Sequence, residues 1–262
     1  FGFFYVLDAK TGKEVTKLDT EGGEIVSSAN FYGDRVIFGG YDAVLYCMSA
    51  KTGKIEWKLE TGGPIHASPV IHEGRTCVTG CDEFLRVVDV ETGKEVTKFP
   101  LESYTAASPA VVDGNLYVGT FNSEFIAIDW KKGEKLWSYQ HPRKRFPYAA
   151  SAAVHKDRIV VGGRDKILHC IDRKTGKGIW TFPTKARVES SPVIARDRVI
   201  CGSSDKTLYM LDLATGKELW RYESDGAFVA SPSLVPGRLV IGSDNGLVYC
   251  FDTRSGTAAK KK

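Results

Sequence analysis

Six serines recur along the 262-residue chain at near-constant spacing: Ser28, Ser68, Ser108, Ser151, Ser191 and Ser231, with Pro following four of them. Six hydroxyls of one type could together hold a polar ligand. The plainer reading, and the favoured one, is that they bond locally to backbone or water. A nucleophilic serine needs an adjacent base. His66 stands two residues before Ser68. Neighbours two apart on one strand point the same way but lie about 7 Å apart, too far for a direct bond. A Ser–His hydrolase is therefore not expected.

A second group is basic. The stretch PRKRFPY, residues 142–148, places Arg143, Lys144 and Arg145 beside Phe146 and Tyr148, and Lys185 and Arg187 occupy the matching position one unit later. Such a cluster would attract an anionic partner: an acidic protein segment, a surface glycan or a lipid headgroup. The alternative is a solvated basic loop. Glu21, Glu24, Glu60, Glu102 and Asp225 fall at equivalent positions in other units. That asymmetry favours an oriented protein partner over nucleic acid, since single-strand binding would want more interleaved aromatics. The net charge of +4 argues no further for nucleic acid.

Cysteine carries little chemistry. Cys47, Cys170 and Cys250 share one repeat position and read as small apolar filler. Cys77 and Cys81 are four apart, with no further Cys or His nearby to complete a metal site. A local disulfide between them is a weak reading.

These residues are positioned by a repeat. A Gly closes a turn at Gly12, Gly53, Gly93, Gly133, Gly176, Gly216 and Gly256, at intervals of 41, 40, 40, 43, 40 and 40 residues. A constant period in this range means a repeat architecture. Four residues before each turn Gly stands Asp8, Asp89, Asp129, Asp172, Asp212 or Asp252, or Ser49 in the remaining copy. A short polar side chain there can close an Asx-type turn. Four residues after it stands Trp57, Trp137, Trp180 or Trp220, with Thr16 and Thr97 substituting in two copies. Each Trp is expected to pack against the next repeat. Burying ~150–250 Å² would be worth roughly 4–6 kcal/mol as an upper bound. Trp130 falls outside this register and reads as a surface contact. Lys13, Lys54, Lys94, Lys177 and Lys217 follow the Gly and read as exposed turn residues.

Each unit divides into four short strands, A to D, rich in β-branched and aromatic residues and punctuated by Gly, Asp and Asn. No window sustains a helical period. Strand A includes the Ser position, as in IHASPVI and VESSPVI. Four antiparallel strands per ~40 residues is a β-propeller blade. One domain over 1–257 is expected, followed by a Lys-rich tail at 258–262. It comprises a half blade over 1–20, full blades starting at about 25, 65, 105, 149 and 188, and a partial blade over 228–252. That makes twenty-five strands, which suits neither a closed six-blade nor a closed seven-blade ring. An N-terminally truncated propeller of seven or eight blades is therefore expected. The first residue is Phe1, and no apolar run approaches the ~18 residues of a transmembrane helix.

The D-x-x-T-G-K-x-x-W signature after a strand, with S-S-P or A-S-P in strand A, resembles the PQQ-like (pyrroloquinoline-quinone-type) propeller repeat and its tryptophan-docking motif. The resemblance covers nearly the whole chain. It implies an all-β propeller with strand A lining a central channel. The family holds two branches. Quinoprotein dehydrogenases add a vicinal disulfide, a calcium-ligand set and a catalytic Asp around the quinone. Non-catalytic propellers include the B subunit of the bacterial outer-membrane protein assembly machine. This chain has no adjacent Cys pair, and its recurring Asp residues are explained by turns. It looks like the non-catalytic branch: a binding or scaffold protein of the cell envelope or periplasm. On that reading it has no catalytic residues, no cofactor and another protein as partner, with membrane anchoring through sequence upstream of Phe1 as an option. The alternatives are a fragment of a quinoprotein dehydrogenase, which would bring PQQ and calcium, and the sensor domain of a signalling protein.

Overall fold

In a computed structural model, residues 2–20 and 23–253 are described, and among them are twenty-five strands and no helix. β1 (Phe3–Leu7) and β2 (Glu14–Asp19) form a two-stranded sheet. Five four-stranded sheets follow. They are β3 (Asn30–Tyr32), β4 (Arg35–Gly39), β5 (Val44–Ser49) and β6 (Ile55–Glu60); β7 (Val70–His72), β8 (Arg75–Thr79), β9 (Phe84–Asp89) and β10 (Glu95–Pro100); β11 (Ala110–Val112), β12 (Asn115–Gly119), β13 (Phe125–Asp129) and β14 (Glu134–Tyr139); β15 (Ala153–His155), β16 (Arg158–Gly162), β17 (Ile167–Asp172) and β18 (Gly178–Pro183); and β19 (Val193–Ala195), β20 (Arg198–Gly202), β21 (Thr207–Asp212) and β22 (Glu218–Glu223). β23 (Ser233–Val235), β24 (Arg238–Gly242) and β25 (Val248–Asp252) make a three-stranded sheet. Within each sheet the strands lie in chain order. The Lys-rich tail and Gly256 lie outside the described residues.

The chain forms two compact units, Phe1–Thr120 with Ala127–Leu136, and Phe121–Ile126 with Trp137–Lys262. In each, consecutive sheets pack face to face. In the first unit Ile37, Leu45 and Cys47 meet Ile65, Val78 and Val88. In the second, Val160, Leu168 and Cys170 meet Val199, Tyr209 and Leu211. The second and third strands of a sheet are therefore buried on both faces, which is why they read as unbroken apolar runs. The fourth alternates between exposed and half-buried residues, as in IEWKLE.

The turn chemistry explains the repeat signature. Asp172 Oδ1 accepts from the Lys174 and Thr175 amides at 3.1 and 2.8 Å and from Thr175 Oγ1 at 2.8 Å. The Gly176 amide then closes onto the Asp172 carbonyl at 2.9 Å. Asp8, Asp89 and Asp212 do the same with Thr11, Thr92 and Thr215. Those bonds to Thr hold the four carboxyls below their usual range.

Strand A is shorter than the sequence suggested. It has three residues in every sheet that contains it, and each of the six serines precedes it by two. The reason is where the amides go. The Ser28 amide donates to Ser68 Oγ at 3.0 Å and the Ser68 amide to Ser108 Oγ at 2.9 Å. In the second unit, Ser151 donates to Ser191 Oγ at 3.1 Å and Ser191 to Ser231 Oγ at 3.0 Å. These amides point to the next repeat rather than along the sheet, and the following Pro has no donor to offer.

Candidate functional site

The docking tryptophans are fixed by two contacts. Trp57 Nε1 donates to the Val90 carbonyl at 2.9 Å, Trp137 Nε1 to Arg173 at 3.1 Å and Trp180 Nε1 to Leu213 at 2.9 Å. Their rings lie beneath Gly93, Gly176 and Gly216, where a Cβ would approach ring atoms to 2.6–2.7 Å. The side chains are half-buried rather than fully enclosed, so the upper-bound burial energy is not reached. Trp220 packs edge-on to Phe251 at 5.6 Å. It also lines an open groove of about 910 Å³ with Met210, Leu219 and Leu234. Trp130 is not a surface contact: it is 1% exposed and lies 5.4 Å from the His72 ring. It occurs in the sheet after β10, the strand in which Thr97 replaces the docking Trp.

The serines do not gather into a reactive group. The hydroxyls of Ser68, Ser108, Ser191 and Ser231 each accept the amide of the serine one repeat earlier. His66 is not on a strand with Ser68; its ring packs edge-on against Tyr41 at 4.8 Å.

The basic residues sit on two successive loops of the second unit, β14–β15 and β18–β19. Arg143, Lys144, Arg145, Phe146, Lys185 and Arg187 are all exposed. Tyr148 is a correction: at 2% exposure it is core, with its ring 5.2 Å from His169 and 6.2 Å from Phe125. Its ring turns inward and anchors the loop. Arg164 joins the two loops. Its amide donates to the Pro147 carbonyl at 3.0 Å, its guanidinium bonds Glu189 Oε1 at 2.8 Å, and it lies 5.1 Å over Phe121. Arg187 reaches the same Glu189 oxygen at 3.7 Å. Lys144 Nζ donates to the Asp165 carbonyl at 3.1 Å, and Arg145 bonds Gln140. Among the acidic residues expected on equivalent loops, Glu24, Glu60, Glu102 and Asp225 are exposed; Glu21 lies outside the described residues.

Beneath the β14–β15 loop is a polar cluster that the sequence reading missed. His169 is fully buried in β17. Its Nε2 faces Asp165 Oδ2 at 3.1 Å, and its Nδ1 faces the Tyr139 hydroxyl at 3.2 Å. If an Asp165 oxygen accepts from Nε2–H, Nδ1 is left to accept from the Tyr139 hydroxyl. Burial, and then Asp165, push the Tyr139 phenol up to about 12. His141 packs edge-on to His169 at 5.6 Å. A signal did exist. The residue three before the turn Asp or Ser pairs with a polar residue four positions earlier in sheet after sheet: Tyr46 with Asp42, Arg86 with Asp82, Tyr209 with Asp205 and Tyr249 with Asn245. His169 is the one imidazole in that slot.

A family model described as outer membrane protein assembly factor BamB matches residues 3–146 and 143–260. The chain belongs to this BamB-like propeller family. A BamB from Marinobacter adhaerens is 26% identical over 119 residues, covering 45% of this chain and 30% of that one. A quinohemoprotein alcohol dehydrogenase, ADH IIB from Pseudomonas putida, is 28% identical over 145 residues, covering 48% of this chain and 21% of that one. The chain thus spans less than a third of either curated relative. The crystal structure of BamB from Moraxella catarrhalis superposes with a TM-score of 0.82 at 19% identity, over 96% of this chain and 79% of that one. That match shows the fold, an all-β propeller of antiparallel sheets. The BamB-like family thus has relatives of both kinds, assembly factors and quinone enzymes. The six cysteines are free, none adjacent in sequence, and four are buried. Among the described residues, no group of three or more His, Cys, Asp or Glu is placed to hold a metal ion. Nor, among them, is any helix long and apolar enough to cross a membrane.

Proposed function

We propose that the chain is a non-catalytic binding module of the cell envelope that holds an acidic protein segment on its basic rim. The observation that carries this reading is the bridge made by Arg164. It ties Pro147 of one basic loop to Glu189 beside the other, so that exposed cations of both loops share one surface. Phe146, 49% exposed, supplies an apolar contact among them. Loops on a rigid scaffold are where binding concentrates. The recurring Asp residues accept the amides of their own turns and are committed to structure. The BamB relatives, named for outer-membrane protein assembly, supply the envelope setting.

The test is titration of a fluorescent Asp/Glu-rich peptide at low and high salt. Binding should weaken with salt and fall about ten-fold in Arg143→Glu and Arg145→Glu, equivalent to roughly 1.4 kcal/mol. Lys13→Glu, in the β1–β2 turn of the first unit, should leave it unchanged. Affinity indifferent to both rim reversals would refute the site. Retention of added PQQ and calcium through desalting, with dye reduction by alcohols, would refute the non-catalytic assignment.

A further inference from the structure

Loop 141–148 is held by an acceptor that acid can remove. The Arg143 amide donates to His141 Nδ1 at 3.3 Å, so that nitrogen is unprotonated and any ring proton is on Nε2. The same ring packs on His169, both of whose nitrogens already have partners. Tyr148 packs on His169 from the other end of the loop, and Lys144 reaches the Asp165 carbonyl. The groups facing His141 are therefore Arg143 and Lys144 on its own loop, His169 and Tyr148 beside it, and Asp165 on the turn before β17. Asp165 is the one carboxylate among them, and its oxygens already serve His169 Nε2 and the Ile167 amide.

We propose that His141 is a proton-operated latch, fixing loop 141–148 at neutral pH and releasing it on acidification. A proton arriving at Nδ1 turns the acceptor into a donor and breaks the bond from the Arg143 amide. It also sets a positive imidazolium beside Lys144 and Arg143. Desolvation first, and then His169, holds the latched imidazole below its usual range. The released loop therefore binds protons more readily. Stability of the latch is present above the free histidine range and is lost as pH falls from there through the lowered value of the latched ring. Because this loop carries Arg143, Lys144, Arg145 and Phe146, acid would also change how the rim meets an acidic segment. That consequence rests on the function proposed above; the latch itself does not.

Hydrogen exchange of the whole protein at pH 7.5 and 5.5, corrected for the intrinsic rate, reads the latch directly. Amides of 141–148 should lose protection on acidification, by several-fold and at most about ten-fold, since pH 5.5 lies about one unit below the ordinary histidine pKa. His141→Asn keeps a short acceptor two residues before Arg143 but cannot titrate. It should stay protected at both pH values, while His155→Gln, on β15, should behave as the parent. Unchanged protection in the parent, or the same loss in His141→Asn, would overturn the latch. Release with no change in acidic-peptide affinity would uphold the latch and count against the rim as a binding site.

Discussion

The contact between Trp180 and Gly216 is a sharp test of how one repeat grips the next. Trp180 is half-buried, so about 100 Å² of apolar surface is at stake, or ~2.5 kcal/mol at ~25 cal/mol per Å². The bond from Nε1 to the Leu213 carbonyl, 2.9 Å long, adds about 1 kcal/mol. Trp180→Ala should therefore destabilise by ~3–4 kcal/mol. Gly216 has φ +70° and faces the ring so closely that a Cβ would lie 2.6 Å from Trp180 Cδ2. Gly216→Ala should lose ~1–2 kcal/mol to backbone strain and a further ~1–3 kcal/mol to overpacking. In the Trp180→Ala background the second penalty vanishes. The double variant should then be ~1–3 kcal/mol more stable than the two single losses imply. Gly12 has φ +69° and no atom within 4 Å of a Cβ, so Gly12→Ala should show the strain alone. Urea melts followed by circular dichroism give all four values. Additivity within ~0.5 kcal/mol, or a Gly12→Ala penalty equal to that of Gly216→Ala, would refute this account of docking.

Two further outcomes follow from the bonds between and within repeats. Ser68→Ala removes the acceptor of the Ser28 amide; it should reduce stability by ~0.5–1.5 kcal/mol and speed exchange at Ser28, whereas Ser68→Thr should restore both. The turn carboxyls of Asp89, Asp172 and Asp212 are depressed by their Thr bonds, so their stabilisation is present above the ordinary carboxylate range and disappears as pH falls through the lowered values. Unfolding midpoints measured from pH 6 to pH 2 should fall on that limb, and Asp172→Asn should flatten it; an unchanged acid limb would contradict the assignment.

The strand count and sheet order were legible because the turn residues are chemically obligatory. Gly176 needs φ +70°, Asp172 needs three donors, and both recur at a fixed period. The boundary of strand A was not legible. The serine amides are satisfied by the next repeat about forty residues away, and no local pattern announces that partner. Trp130 and Tyr148 misled for a similar reason. Both are out of register with the docking Trp, and being out of register resembles being on the surface. Yet Trp130 is buried in the sheet after the one where Thr97 has lost the indole. Tyr148 stands among charges in the sequence, yet its ring packs on Phe125 and His169.

Departures from the template matter more here than the template itself. The slot three before the turn Asp or Ser holds Tyr46, Arg86, Tyr209 and Tyr249, each tied to the Asp or Asn four residues earlier. Any side chain that can satisfy that partner keeps the turn closed, so the slot can vary without disturbing the sheet. At His169 it holds an imidazole, whose second nitrogen reaches a further polar group, Tyr139, on the neighbouring sheet. Room for the Tyr139 ring comes from Gly178, where a Cβ would lie 3.1 Å from Tyr139 Cε2. The longest D-to-A loop then closes over the same cluster, with His141 and Tyr148 packed on His169. A three-residue insertion, a histidine and a glycine thus depart from the repeat together at one place. Such a coincidence is expected when a uniform scaffold has been modified locally to build one distinct surface, and it is the reason to look for the partner there.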